Sequence, residues 1–136
     1  MSILKQIKTL EKKRDMVLGR MLSVRFMVPG AYGKVYCRCG KKNCWCYKGK
    51  GHPYTRITWY EEGRSKTKSI NDKNIGWIRQ VTQNYRDFKK DQKKIRECDE
   101  QLKELLDRYL KEIIVKTRMK KDYNQIRIFE FLTYGK

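Results

Sequence analysis

Cys37-Arg38-Cys39-Gly40-Lys41-Lys42-Asn43-Cys44-Trp45-Cys46, closely followed by Gly51-His52-Pro53-Tyr54, gathers four thiols and the chain's single histidine into one short stretch. Donors that dense point first to a metal. Zinc takes four such ligands, at ~2.3 Å for sulfur and ~2.0–2.1 Å for imidazole nitrogen, in a closed tetrahedron when its role is structural. Two sets meet the count: Cys37, Cys39, Cys44 and Cys46, or Cys39, Cys44, Cys46 and His52, the latter spaced Cys-x4-Cys-x-Cys-x5-His and leaving Cys37 over. The second is slightly favoured. Each Cys-x-Cys pair must sit on a bend if both sulfurs are to meet one ion, and Gly40 relieves the bend at the first pair. Zn2+ is therefore the expected cofactor. A catalytic zinc needs an open coordination position and a nearby general base, whereas Glu61 and Glu62 fall in an expected turn, so no catalytic residue is assigned and no enzyme is expected. Cys98 stands apart from the cluster and reads as a packed small side chain.

Outward from the cluster, Tyr54-Thr55-Arg56-Ile57-Thr58-Trp59-Tyr60 and Arg64-Ser65-Lys66-Thr67-Lys68-Ser69-Ile70 are rich in β-branched and aromatic residues, with Glu61-Glu62-Gly63 between them. That pattern predicts a β-hairpin. A lone hairpin is marginal in water, so metal loop and hairpin are expected to fold together. On the N-terminal side, Ile3, Ile7, Leu10, Val17, Met21 and Val24 step by four and three around one charged intruder, Arg14. This predicts a helix capped at Ser2 and ending near Val24, before Pro29-Gly30 and Gly33. On the C-terminal side a longer row runs Ile78, Val81, Tyr85, Phe88, Gln92, Ile95, Asp99, Leu102, Leu106, Tyr109 and Ile113. It predicts a helix from a cap at Asn71 or Asp72 to about Thr117.

An apolar stripe that long must pair, and the N-terminal helix is the economical partner. The expected fold class is α+β, mainly α. It is an antiparallel helical hairpin or coiled coil with a small zinc-bound loop and β-hairpin inserted at one end, elongated because its charge leaves little for a large core. Its segments are 1–28 (helix), 29–70 (zinc loop and hairpin), 71–118 (long helix) and 119–136 (C-terminal segment). In one register Arg14 falls near Asp99, a pairing that would fix alignment more than add stability. The outreaching seam from Leu106 to Ile113 is left for a second copy, giving a homodimer, or for Met119, Tyr123, Ile126 and Phe129 folding back. Residues 125–132 mix two-residue and helical periodicity, and their conformation stays undecided.

The 136 residues carry 39% hydrophobic and 36% charged side chains and a net charge of +19, spread over the whole chain rather than held in a tail. Such a surface suits a phosphate backbone, because each neutralised phosphate releases condensed counterions. The expected partner is nucleic acid, DNA or structured RNA. Around the thiols, stacking faces alternate with cations, which suits bases unstacked from a strand. The candidate contacts are Arg38, Lys41, Lys42, Trp45, Lys48, Lys50, Arg56, Trp59 and Arg64, continuing along the long helix as Arg79, Arg86, Lys89 and Lys90. Trp45, between two ligand candidates, is expected to be exposed. No apolar run approaches the ~20 residues of a membrane span, and the N-terminus lacks the apolar core of a signal peptide. A cytoplasmic or nucleoid-associated protein with reduced thiols is expected.

The stretch Cys39-Gly40-Lys41-Lys42-Asn43-Cys44-Trp45-Cys46, with Gly51-His52-Pro53-Tyr54, a hairpin at Gly63 and Asn84-Tyr85-Arg86-Asp87-Phe88-Lys89, resembles a family of short bacterial and archaeal proteins of unassigned function. Its pattern is roughly C-G-K-x-x-C-x-C, then G-H-x-P-Y, then a long helix, and the likeness spans about residues 36–105. The resemblance implies Cys39, Cys44, Cys46 and His52 as shared ligands and a distribution tied to mobile elements. It implies no activity. Cys37 is extra to the pattern and His52-Pro53 is one residue tighter, so both ligand sets remain open. The function expected is a zinc-stabilised basic nucleic-acid binder of low sequence specificity, an accessory subunit of a mobile element or larger nucleoprotein complex. The alternative is a protein adaptor or inhibitor that docks its basic surface on an acidic protein.

Overall fold

Helix α1 spans Ile3–Leu22 and starts where the Lys5 N–H donates to Ser2 Oγ at 3.3 Å, the expected cap. The computed structural model describes residues 1–120, so the expected folding back of Tyr123, Ile126 and Phe129 and the conformation of residues 125–132 lie outside the described residues. Three strands follow: β1 at Ala31–Cys37, β2 at His52–Glu61 and β3 at Arg64–Ile70. Helix α2 then runs over Ile75–Lys120, entered through a single 3-10 turn at Asp72–Asn74. The chain is mixed α and β, mainly helical, with no helix among the described residues long and apolar enough to cross a membrane.

The predicted hairpin forms as β2 and β3, antiparallel from Thr55 opposite Ile70 to Glu61 opposite Arg64. Glu62 and Gly63 close it with positive φ of 52° and 75°, the two-residue turn whose twist matches that of the strands. The sheet has a third member that the sequence reading lacked. β1 pairs antiparallel with the other side of β2, from Ala31 opposite Thr58 to Cys37 opposite His52. Gly30 and Gly33 read as helix-stop signals, yet Gly33 lies within β1.

The chain divides into two compact units, one of Gly19–Gln92 and one holding Met1–Leu18 with the chain from Lys93 on. In the first, alternation along β2 buries Thr55 and Ile57 on one face, where Ile57 meets Ile78 and Val81 of α2. Val28, Tyr32, Trp59 and Ile70 pack round them. Removing Ile57, Ile78 and Val81 from water stabilises by ~1.5–3 kcal/mol each. Three polar links set the direction of the chain against α2. Arg20 donates to both carboxylate oxygens of Asp91 at 3.0 and 2.7 Å, Asn84 Nδ2 to the Phe26 carbonyl at 3.0 Å, and the Val28 N–H to the Val81 carbonyl at 3.2 Å. As one number rises the other falls, so the two segments are antiparallel.

In the second unit, Val17, Cys98 and Leu105 are buried, and Arg14 Nε meets Asp99 Oδ1 at 2.9 Å, the anticipated register. Both partners are half-exposed, so this pair is a surface contact. The buried row of α2 departs from the expected one. From Asp91 on it reads Asp91, Ile95, Cys98, Leu102 and Leu105, while Gln92 and Asp99 are exposed and Leu106 is 53% exposed. Strict alternation of threes and fours misses two successive steps of three, Tyr85 to Phe88 to Asp91. Asp91 holds an inward position because Arg20 supplies its countercharge.

Candidate metal centre

Between β1 and β2 the chain makes a compact excursion whose turns aim its donors together. The Cys44 N–H donates to the Lys41 carbonyl at 3.2 Å, and Gly40, with φ +83°, bends the backbone just after Cys39. A 3-10 turn at Trp45–Tyr47 follows, which brings Cys44 and Cys46 round to the same side within one tight turn. The Cys-x-Cys pair at Cys44 and Cys46 therefore sits on the bend it requires. His52 opens β2, and Gly51 before it is a steric necessity. Its φ is +106°, and a Cβ there would lie 2.5 Å from the Cys37 carbonyl carbon and 2.8 Å from the Arg38 nitrogen. Backbone packs against backbone at that point, and only glycine fits.

The ligand atoms of Cys39, Cys44, Cys46 and His52 all lie within 4.8 Å of one another. Ligand distances of ~2.0–2.3 Å place the corners of a tetrahedron ~3.3–3.8 Å apart. Cys39 Sγ and Cys46 Sγ are 3.4 Å apart, and Cys44 Sγ and His52 Nε2 are 3.3 Å apart. The donor set and its spacing fit a tetrahedral ion, so these four residues can hold a metal. Cys37 stays out of the group. It is the last residue of β1, its thiol is exposed, and it faces the Arg38 carbonyl at 3.6 Å.

The environment supports thiolates. The Cys39 N–H donates to Cys46 Sγ at 3.4 Å, an outer contact that sequence spacing alone could not reveal. The Lys41 N–H, and then the Cys46 and His52 side chains, hold the Cys39 thiol down to about 6. At Cys46 the Cys39 N–H favours the thiolate, but full burial and the neighbouring thiols of Cys39 and Cys44 outweigh it and push that thiol up. The group thus parts with its first proton at Cys39. No carboxylate joins it among the described residues. Glu61 instead meets Lys66 Nζ at 2.9 Å and accepts from Trp59 Nε1 at 3.3 Å, and those two contacts, Lys66 first, lower its pKa.

Trp45 projects beside the donors, 67% exposed, with its ring edge-on to His52 at 4.9 Å. Arg38 is pinned by a bond from Nε to the Gly49 carbonyl at 3.0 Å, and Lys50 Nζ sits 5.8 Å from the Tyr36 ring. Lys41, Lys42, Lys48, Arg56 and Arg64 are exposed. Trp59 differs from Trp45, since it packs against the Ile57 core. Along α2, Arg79 Nε donates to Tyr32 Oη at 3.0 Å, Arg86 to Gln83 at 2.9 Å, and Lys89 lies 5.9 Å from the Tyr85 ring, with Lys90 exposed. Trp77, 56% exposed, escaped the sequence reading because it falls beside the buried row and not near the thiols.

No curated protein and no solved structure matches the chain. A family model does, over residues 3–80, from the first turn of α1 to the start of α2. That span takes in all four donors, covers the N-terminal helix and stops well short of residue 105. The match extends over more than half of the chain, which belongs to the family described as a domain of unknown function, DUF6788.

Proposed function

We propose that this protein is a zinc-stabilised, non-catalytic nucleic-acid binder of low sequence specificity, serving as an accessory subunit of a mobile element or nucleoprotein complex. The observation that carries the reading is the Cys39, Cys44, Cys46 and His52 group with an exposed indole and a surround of cations on the same loop. Between Asp15 and Asp72 the chain has only two acids, Glu61 and Glu62, against a net charge of +19. Zinc suits three thiolates and an imidazole, and a closed four-ligand site supplies folding energy rather than a reactive water. Trp45 offers a stacking face worth ~1–3 kcal/mol per base, while Lys41, Lys42 and Lys48 neutralise phosphates.

In this reading the antiparallel contacts of α1 and α2 belong to a coiled coil, and Leu106, Leu110 and Ile114, all exposed on α2, supply the seam of a homodimer. The place of action in this reading is the cytoplasm, with association with the nucleoid as one setting. The test is binding of random duplex, single strand and structured RNA to zinc-loaded protein across a salt series, with Trp45→Ala beside it. Affinity that falls steeply with salt, and further on loss of the indole, supports the reading. An absence of any nucleic-acid binding at low salt, with an acidic protein partner recovered instead, overturns it in favour of an adaptor.

A further inference from the structure

Pairing and alternation give the sheet two unlike faces. One carries Ile57 and lies on α2; the other faces solvent and presents Arg56, Thr58, Ser65, Thr67, Tyr54 and Tyr60. Thr58 Oγ1 and Thr67 Oγ1 approach to 3.5 Å across β2 and β3 on that side. Arg56 stands on the central strand, with Gly33 opposite it on β1 and Ser69 opposite it on β3. Neither cross-strand neighbour carries a large side chain, the residue is exposed, and among the described residues no hydrogen bond or ion pair holds its guanidinium. The face has no acid, because Glu61 alternates to the other side, where it meets Lys66. His52, on the same parity as Arg56, joins the metal group to this side of the sheet.

We infer that this solvent-facing side of the sheet enters the major groove of duplex DNA, with the Arg56 guanidinium contacting base edges. The inference rests on the nucleic-acid reading and names its ligand and its surface. Three strands ~4.8 Å apart put the outer strand axes ~10 Å apart, with Arg56 on the central strand, and the B-form major groove, ~12 Å wide and ~8.5 Å deep, is wide enough to be read by β-structure. Short hydroxyl side chains at Thr58, Thr67 and Ser69 surround Arg56 in the middle of the face, with Tyr54 and Tyr60 towards the ends of β2, and arginine is the side chain that most often reads guanine, through O6 and N7. A single such reader gives a preference of a base or two, in keeping with low overall specificity. The deep, narrow major groove of A-form RNA would not admit the sheet, so duplex DNA is the committed partner.

The test uses the zinc-loaded full chain, with random-sequence duplex DNA, the matching duplex RNA, and dimethyl sulfate footprinting of guanine N7 in the major groove. The wild-type protein is expected to protect N7. Arg56→Ala, whose exposed side chain leaves the fold untouched by circular dichroism, is expected to bind DNA roughly ten- to hundredfold more weakly and to lose that protection. Lys68→Ala, on the opposite face, is expected to keep it. Duplex binding without N7 protection, an Arg56→Ala variant as tight as wild type, or tighter binding to duplex RNA overturns the groove assignment alone. Failure to bind any nucleic acid at low salt overturns the underlying reading as well.

Discussion

Gly51→Ala is the sharpest single change the loop allows. The new methyl would sit 2.5, 2.7 and 2.8 Å from the Cys37 carbonyl carbon, the Cys37 oxygen and the Arg38 nitrogen, none of which is the flexible end of a side chain. A φ of +106° adds backbone strain of ~1–3 kcal/mol, and forcing apart β1 and the start of β2 adds an overpacking cost of ~1–3 kcal/mol. Together these amount to ~2–6 kcal/mol, a large share of the ~5–15 kcal/mol that holds a typical domain together. Because His52 is the next residue, the displacement also moves a donor. Denaturant melts followed by circular dichroism, with metal release to a chelator measured in parallel, should show a strongly destabilised variant that yields its metal more readily. Gly49→Ala is the control, since a Cβ there meets only the Trp45 carbonyl oxygen at 3.8 Å. If Gly51→Ala and Gly49→Ala melt together and hold metal equally, the close-approach argument is wrong.

The two Arg–Asp pairs should differ in weight. Arg14→Ala removes a half-exposed contact and should cost ~0.2–1 kcal/mol, whereas Arg20→Ala removes a two-bond countercharge from the carboxylate of Asp91, which is only 5% exposed, and should destabilise more in the same melts. In metal-free protein the Cys39 thiol titrates at about 6 rather than its ordinary 9.0. The stability it contributes is therefore complete above pH 9, declines as pH falls towards 6 and is gone below that, a slope that melts of wild type against Cys39→Ser should reveal as a difference confined to that window.

Both helices and the hairpin were legible because each obeys one periodicity: threes and fours in α1 and early α2, twos in β2 and β3, with a turn residue between. The Arg14–Asp99 register was legible too, as a charge at a seam position with one opposite number. β1 was not. Gly33 within it and Gly30 just before it outweighed Tyr32 and Val35 as signals, and what specifies the strand is its antiparallel pairing with β2, Gly33 opposite Arg56 and Cys37 opposite His52, known only once β2 is in place. The seam shift to Asp91, Cys98 and Leu105 was hidden for a similar reason: an acid reads as solvent-facing until its partner Arg20 is located 71 residues away. At the metal group the donors were visible in their spacing, and the choice between Cys37 and His52 was already leaning towards the histidine. The exclusion of Cys37 from the group depends on β1 continuing through that residue, and so was beyond reach while the strand was missing.

The metal content of freshly purified protein, measured by elemental analysis alongside Cys37→Ser, Cys46→Ser and His52→Ala, tests the four-donor centre itself. One zinc per chain is predicted for the wild type and for Cys37→Ser, with the zinc lost and the loop unfolded in the other two. A wild-type protein that keeps its fold with no bound metal, or a Cys37→Ser variant that alone loses it, would contradict the four-donor centre.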